Sequence, residues 1–176
     1  SGRMQNGKEA VELLVERDLQ RALTEANRIN EYNEQRKDID KQMTIEANEI
    51  VARLESQQHM SSIVLYDEGW KKGVVGIVAS RLTEIYYRPT VVLTIIDGIA
   101  TGSARSVAGF DIYDAIKNCR DILENFGGHT YAVGLTLRQE NIPEFRRRFQ
   151  EYVKQHILPE QTLPTLDIDE EIDFKD

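Results

Sequence analysis

Thr90-Val91-Val92-Leu93-Thr94-Ile95-Ile96 is a continuous, β-branched run, followed by Asp97-Gly98 and then by Ala100-Thr101-Gly102-Ser103-Ala104-Arg105-Ser106. The first run has the composition of a buried strand. Asp-Gly is a turn signal between strands. The second run alternates small and polar residues and reads as a polar strand. Upstream, residues 63–66 form a short strand-like run and residues 69–73 a loop. Residues 74–87 read as a helix closed by Arg88-Pro89, since a residue before proline avoids the helical region. Downstream, Asp111 is placed to cap a helix, with Asp114 three residues on. That helix is expected to reach about Phe126 and to stop at Gly127-Gly128. Residues 131–137 read as a further strand and Ile142–His156 as a further helix. Strand–helix–strand–strand–helix–strand–helix describes an α/β domain with a mixed sheet, expected over residues 59–157.

The first 58 residues read differently. They contain no proline, and no glycine after Gly7. Ala10, Val11, Leu14 and Val15 give one apolar helical face, and Arg17-Asp18 marks a break with Asp18 as a new N-cap. Leu19, Leu23, Ala26 and Ile29 then make one stripe, and Ile39, Met43, Ala47, Ile50 and Leu54 a second, with a wholly polar segment at 33–38 between them. A helix from Asp18 to about Ser56 would be roughly 58 Å long. Apolar at both ends and polar in the middle, it suits a strut between two bodies; a helical hairpin or a coiled-coil dimer is the alternative. At the other end, residues 158–176 are acidic, and Leu166, Ile168, Ile172 and Phe174 alternate with acids. That pattern fits either the entry to a following domain or a solvated tail.

The chain has 176 residues, of which 40% are hydrophobic and 30% charged. That composition excludes a disordered tail, and no apolar run approaches the roughly 20 residues that span a bilayer. No membrane association is therefore expected. Residues 1–9 are polar and lack the apolar segment of a secretory leader, so the expected compartment is the cytoplasm. One cysteine, Cys119, excludes an internal disulfide and a cysteine-built zinc site, and His59, His129 and His156 are scattered. No cofactor is expected on this chain. The net charge of −8 divides into −3 for residues 1–60, +1 for 61–157 and −6 for 158–176. Acid thus sits in the two ends, and the near-neutral middle permits a local anion site without a broad basic field.

Three segments could carry chemistry. In a strand, residues two apart share a face, so Thr101, Ser103 and Arg105 would present two hydroxyls and a guanidinium together. That fork of donors matches phosphate, although a solvated polar strand fits the same pattern. Gly127-Gly128-His129-Thr130-Tyr131-Ala132-Val133-Gly134 has more glycine than a helix C-cap needs. Its backbone N–H groups could form an anion-binding nest, with His129 as a further donor or as a structural histidine. Ala132 and Gly134, both small, would share a face that a ligand or another backbone segment approaches closely. Third, Gly73, Gly76 and Ser80 make a small-residue stripe suited to close packing of a helix on the sheet. The segment is no P-loop, because no Lys-Ser or Lys-Thr follows at the required spacing. Trp70, beside Lys71 and Lys72, could stack on a base or plug the edge of the core. No cluster of carboxylates and histidines able to hold catalytic metals is visible, so binding is better supported than catalysis.

These residues bring a resemblance. Gly-Gly-His-x-x-Ala-x-Gly at 127–134 resembles the signature of the DHH-associated domain, the C-terminal half of the DHH phosphoesterase superfamily. Residues 69–82, with Trp70 and Gly-Val-Val-Gly-Ile-Val-Ala-Ser-Arg-Leu, look like the version in the RecJ family of single-stranded-DNA-specific exonucleases. Gly-Ser-Ala-Arg-Ser at 102–106 is similar to that family's Gly-Ser-x-Arg-Ser. Residues 1–14 resemble the segment leaving its catalytic domain. The likeness runs over about 155 residues, in order. It implies a parent that degrades single-stranded DNA from the 5′ end in repair and recombination. The parent's absent catalytic half would carry an Asp-His-His motif and Mn2+ or Mg2+. Residues 1–58 would then be the connector, and residues 158–176 the entry to another domain. The implied partners are single-stranded DNA and the missing catalytic domain in cis, with a dimer through the long helix possible in isolation. The implied contacts are Ser103, Arg105 and Ser106, with Gly127, Gly128 and His129, and Trp70 beside them. Lys71 stands where the family usually has histidine, which leaves that histidine's role open. A relative acting on short oligonucleotides or cyclic dinucleotides shares the Gly-Gly-His, and a non-enzymatic helical interaction module is a reading from another class.

Overall fold

The computed structural model of the chain describes residues 2, 4, 6–57, 60–165 and 170. Helix α1 (Lys8–Val15) and helix α2 (Leu19–Glu55) are separated by the expected break, where the Asp18 carboxylate accepts from the Arg21 N–H at 2.9 Å. Helix α2 is continuous for 37 residues, roughly 55 Å. Helix α1 folds back along its first half, tied by Arg28 to Glu9 at 3.6 Å. In the second half Asp40, Met43, Ala47 and Val51 are buried.

Strand β1 (Ile63–Asp67), helix α3 (Val75–Tyr86), strand β2 (Thr90–Ile96) and strand β3 (Ile99–Arg105) follow as the residue pattern predicts. The Asp97-Gly98 turn has both residues at positive φ, 51° and 76°, the geometry that an Asp-Gly hairpin requires. Helix α4 (Ile112–Lys117) begins where the Asp111 carboxylate accepts from the N–H groups of Tyr113 and Asp114. It stops after six residues, and here the structure departs from the expected helix. A short 3-10 turn leads into strand β4 (Leu123–His129), so Gly127-Gly128 lies inside a strand and caps no helix. Ile112, Ala115, Ile116 and Cys119 keep a helical spacing that Ile122 and Phe126 continue on paper; pairing with strand β5 (Ala132–Arg138) overrides it. Arg148 of helix α5 (Ile142–His156) pins the entry to β4 by gripping both Asp121 oxygens at 2.9 Å. Arg147 and Arg148 together hold the Glu144 carboxyl down at about 2, below the usual carboxylate range.

The sheet has the order β1-β2-β3-β5-β4, with β1 parallel to β2 and every other pair antiparallel. One face is sealed by α4 and α5 over Val91, Leu93, Ala104, Val133, Leu135 and Leu137. The other carries α3 and, outside it, the second half of α2, where Met43, Ala47, Val51, Val78 and Leu82 pack on Ile63, Leu65 and Val92. A large apolar side chain among these contributes about 1.5–3 kcal/mol when fully buried. Asp40, 1% exposed, crosses from α2 to Arg81 of α3 at 2.7 Å. The alternation expected at Leu166, Ile168, Ile172 and Phe174 lies outside the described residues, as does His59. No helix among the described residues is long and apolar enough to cross a membrane.

The polar middle of α2 lies beyond this packed body, with Glu34, Gln35, Lys37 and Asp38 exposed. Amides of residues 33–38 should therefore exchange with solvent faster than those of residues 91–95 in the central strand. Equal protection by hydrogen exchange would mean that α2 is packed along its whole length.

Candidate nucleic-acid interface

Register places the predicted residues. Thr101, Ser103 and Arg105 of β3 stand opposite Thr136, Gly134 and Ala132 of β5, and these stand opposite Asn125, Gly127 and His129 of β4. Partners across a ladder share a face. Three rows result: Thr101–Thr136–Asn125, Ser103–Gly134–Gly127 and Arg105–Ala132–His129. The rows lie on the face that α3 covers chiefly over β2 and β3. Over β4 and β5 that face is open: Asn125, Gly127, His129 and Gly134 are exposed, while Val133, Leu135 and Leu137 are buried behind it. Ser103 and Gly127 are two strand spacings apart, roughly 10 Å. The small residues at 127, 132 and 134 form a trough between the Arg105 and His129 flanks, and no described backbone segment lies in it.

Helix α3 sets the arginine. Ser80 Oγ accepts from Arg105 Nε at 3.2 Å and donates to the Gly76 carbonyl at 3.1 Å. Arg105 Nη1 also donates to Ser103 Oγ and to the Ala104 carbonyl. A Cβ on Gly76 would stand 3.1 Å from Arg105 Nη2, so the absence of a side chain there makes room for the guanidinium. The small-residue stripe read as packing therefore packs against the site, and Ser80 is a contact that sequence reasoning did not assign. On the other flank the Tyr131 N–H reaches His129 Nδ1 in a long 3.4 Å bond, and the two rings meet edge-on with centroids 6.5 Å apart. With Nδ1 accepting, the neutral ring carries its proton on Nε2, free to donate outward.

Two expected contacts sit elsewhere. The Ser106 hydroxyl donates to the Phe110 carbonyl at 2.6 Å and its N–H to the Tyr131 carbonyl at 3.1 Å, so it braces the loop after β3. Trp70 is 4% exposed in the core formed with α2 and α3, its indole N–H donating to Glu46 at 3.0 Å. Of the two readings left open for Trp70, burial excludes base stacking. Instead, with the Thr94 hydroxyl donating to its carbonyl at 2.6 Å, Trp70 anchors the loop carrying Lys71 and Lys72. The nest expected at Gly127-Gly128 is also replaced, because both glycines are in the β4–β5 ladder.

The two glycines have separate reasons. A Cβ on Gly128, whose φ is +154°, would fall 2.1 Å from the Ala132 carbonyl oxygen, whereas a Cβ on Gly127 would meet nothing within 4 Å. Gly128→Ala should cost about 1–3 kcal/mol through a backbone clash. Gly127→Ala should stay within about 0.5 kcal/mol, as an open surface change does. Paired thermal melts check this; equal melting temperatures for the two variants would contradict the close approach at Gly128. Among the described residues no group of three or more histidine, cysteine or carboxylate side chains is arranged to hold a metal ion.

The sequence matches the DHHA1 domain over residues 44–155. It is 41% identical over 170 residues to the single-stranded-DNA-specific exonuclease RecJ of Bacillus subtilis, covering 96% of this chain and 21% of that protein. The RecJ of Dickeya dadantii is 35% identical over 160 residues, covering 87% of this chain and 28% of its own length. The chain thus spans less than a third of the curated relatives it matches. Among solved structures, RecJ from Thermus thermophilus in complex with Mg2+ superposes with a TM-score of 0.76 at 26% identity, over 88% of this chain and 24% of that one. A structure of exonuclease RecJ bound to manganese gives 0.74 at 27% identity, over 92% and 40%. With four motifs in order, a matching mixed sheet and this likeness along most of its length, the chain belongs to the DHHA1 domain family, in its RecJ-like form.

Proposed function

We propose that this chain is the substrate-holding part of a RecJ-type exonuclease that degrades single-stranded DNA from the 5′ end in repair and recombination. The observation that carries this reading is the row Arg105–Ala132–His129. A guanidinium held in place by α3 and an imidazole stand on either side of an open trough floored by small residues. A phosphodiester lying over Ala132 and Gly134 would accept from Arg105 on one flank and His129 on the other. The bonds are charge-assisted on the arginine side, and the donors need little reorganisation. Nothing in this arrangement moves a proton or breaks a bond. The metals, Mn2+ or Mg2+, belong in this reading to the parent's other half, since the described donors here do not converge on an ion. That half would join in cis through α1 and α2, whose far end exposes Val11, Leu14, Val15, Leu19 and Leu23. The compartment would be the cytoplasm, and dimers formed through that apolar end would be a property of the isolated chain.

Two expected outcomes follow. The chain alone should not shorten a labelled, 5′-phosphorylated single strand in the presence of manganese or magnesium; metal-dependent shortening that tracks the protein through purification would overturn this. It should bind single-stranded DNA weakly, within or above the range of about 10⁻⁴–10⁻⁶ M for non-specific binding. Arg105→Ala should weaken that binding by about 10- to 150-fold, from the loss of about 1.5–3 kcal/mol. Ser80→Ala should lose less, because the other bonds to Arg105 remain. Arg147→Ala is the control, exposed on α5 and paired to Glu144 and Glu151 at 2.8 and 3.0 Å. An anisotropy titration at low salt reads all three. Equal losses for Arg105→Ala and Arg147→Ala would reduce the binding to diffuse surface charge.

A further inference from the structure

The open face does not end at the Arg105 row. Two rows along, at Thr101–Thr136–Asn125, it widens into a groove of about 370 Å³ lined by Lys72, Thr101, Asn125, Phe126, Gly134 and Thr136, among others. Four residues of strand separate Thr101 from Arg105, roughly 13 Å. Polar side chains stand on the floor and rim of the groove, among glycine and apolar neighbours. Thr101 Oγ1 and Thr136 Oγ1 lie 3.2 Å apart on its floor. Lys72 is carried to its rim by the loop that Trp70 anchors on Glu46 and Thr94. Both Lys72 and Asn125 are exposed, and among the described residues neither side chain has a hydrogen-bond or ion-pair partner. An ammonium with three donors, an amide with donors and an acceptor, and two hydroxyls thus line one groove that reaches the Ser103 row at Gly127 and Gly134, next to the Arg105 row.

We propose that this groove is a second nucleotide position on the same track. Lys72 takes a phosphodiester farther along the strand from the one at Arg105, and Asn125 hydrogen-bonds the edge of the base beside it. The proposal rests on the reading of this face as a single-stranded-DNA surface. It adds a direction, with the bound strand running along β5 from the Arg105–His129 end toward the Lys72–Asn125 end. It also separates the two lysines of the loop. Lys71 is exposed but does not line the groove, so Lys72 is the lysine that contacts the strand.

Ligand length tests this, because a mononucleotide cannot span two positions roughly 13 Å apart. The probes are thymidine 5′-monophosphate and a dodecamer of thymidylate, titrated into the chain and its Lys72→Ala, Lys71→Ala and Arg105→Ala variants. Amide NMR shifts serve for both ligands, with anisotropy across a salt series for the dodecamer. Lys72→Ala should weaken the dodecamer about tenfold at low salt and lower the slope of log K against log salt by about 0.7, one phosphate contact on a single strand. It should weaken the mononucleotide, which engages one position at a time, by less than the dodecamer, whereas Arg105→Ala weakens both ligands. The amides of Asn125 and Thr136 should shift with the dodecamer at concentrations well below those at which the mononucleotide moves them. Equal effects of Lys72→Ala and Lys71→Ala, or no effect of Lys72→Ala on the dodecamer while Arg105→Ala still weakens it, would overturn the second position and leave the first standing. Indifference of both ligands to Arg105→Ala would remove the shared surface and this proposal with it. Unchanged melting of each variant excludes unfolding as the cause.

Discussion

The antiparallel register of β3 against β5, and of β5 against β4, is the constraint on which the rest of the molecule depends. Because side chains alternate with a period of two, one register assigns every residue of three strands to a face. In the observed register Ala104, Val133, Leu135 and Leu137 point to the helices α4 and α5 and are buried, while Arg105, Ala132 and His129 line up on the other side. A slip of one residue would bury the guanidinium without a partner and expose three large apolar side chains. Burial of the core is thus also what assembles the site. Two close approaches in the sheet fall at glycines. The Val92 carbonyl oxygen lies 2.0 Å from where a Cβ of residue 102 would be, and the Ala132 carbonyl oxygen 2.1 Å from that of residue 128. No larger residue fits these strand approaches, so Gly102 and Gly128 belong to the register, and Gly127 and Gly134 to the open trough.

Helix α3 is the second determinant, and it acts through distance. Gly76 and Ser80 allow it to lie close on β3, which brings Ser80 Oγ to Arg105 Nε. The helix is in turn held from outside by α2, through the bond from exposed Arg81 to the buried Asp40 carboxylate, the Glu46–Trp70 bond and the packing of Met43, Ala47 and Val51. A chain of contacts therefore runs from the long helix to the arginine at the surface. The second half of the long helix is thus one layer of the body that orients these side chains.

What could be read from residues alone follows from which interactions are local. The Asp97-Gly98 hairpin, the Asp18 and Asp111 caps and the break before α2 were legible, because each is decided by a few neighbouring residues. The face shared by Thr101, Ser103 and Arg105 was legible from strand periodicity. Strand β4 was not, because helical spacing from Ile112 to Phe126 persists on paper and only the distant pairing with β5 replaces it. Trp70 was ambiguous for the same reason: its partner Glu46 is 24 residues away, on helix α2. Ser80 and Lys72 carry no local signal of their positions, and only the packing of α3 and the anchoring of the loop place them by the trough.

Charge explains why preset donors matter here. The chain as a whole carries −8, the sum of −9 outside residues 61–157 and +1 within them. A polyanion approaching such a molecule gains nothing from the long-range field. Whatever holds a phosphate must act at contact distance, where the gain depends on donors that are already aimed and desolvated. On the free chain the trough is open to water, and a bound phosphate would keep part of its hydration, so each contact is screened. Covering the trough with a second body would exclude that water and strengthen the same contacts without changing a residue on this side. An open face with donors fixed in advance is the form expected of one wall of a cleft.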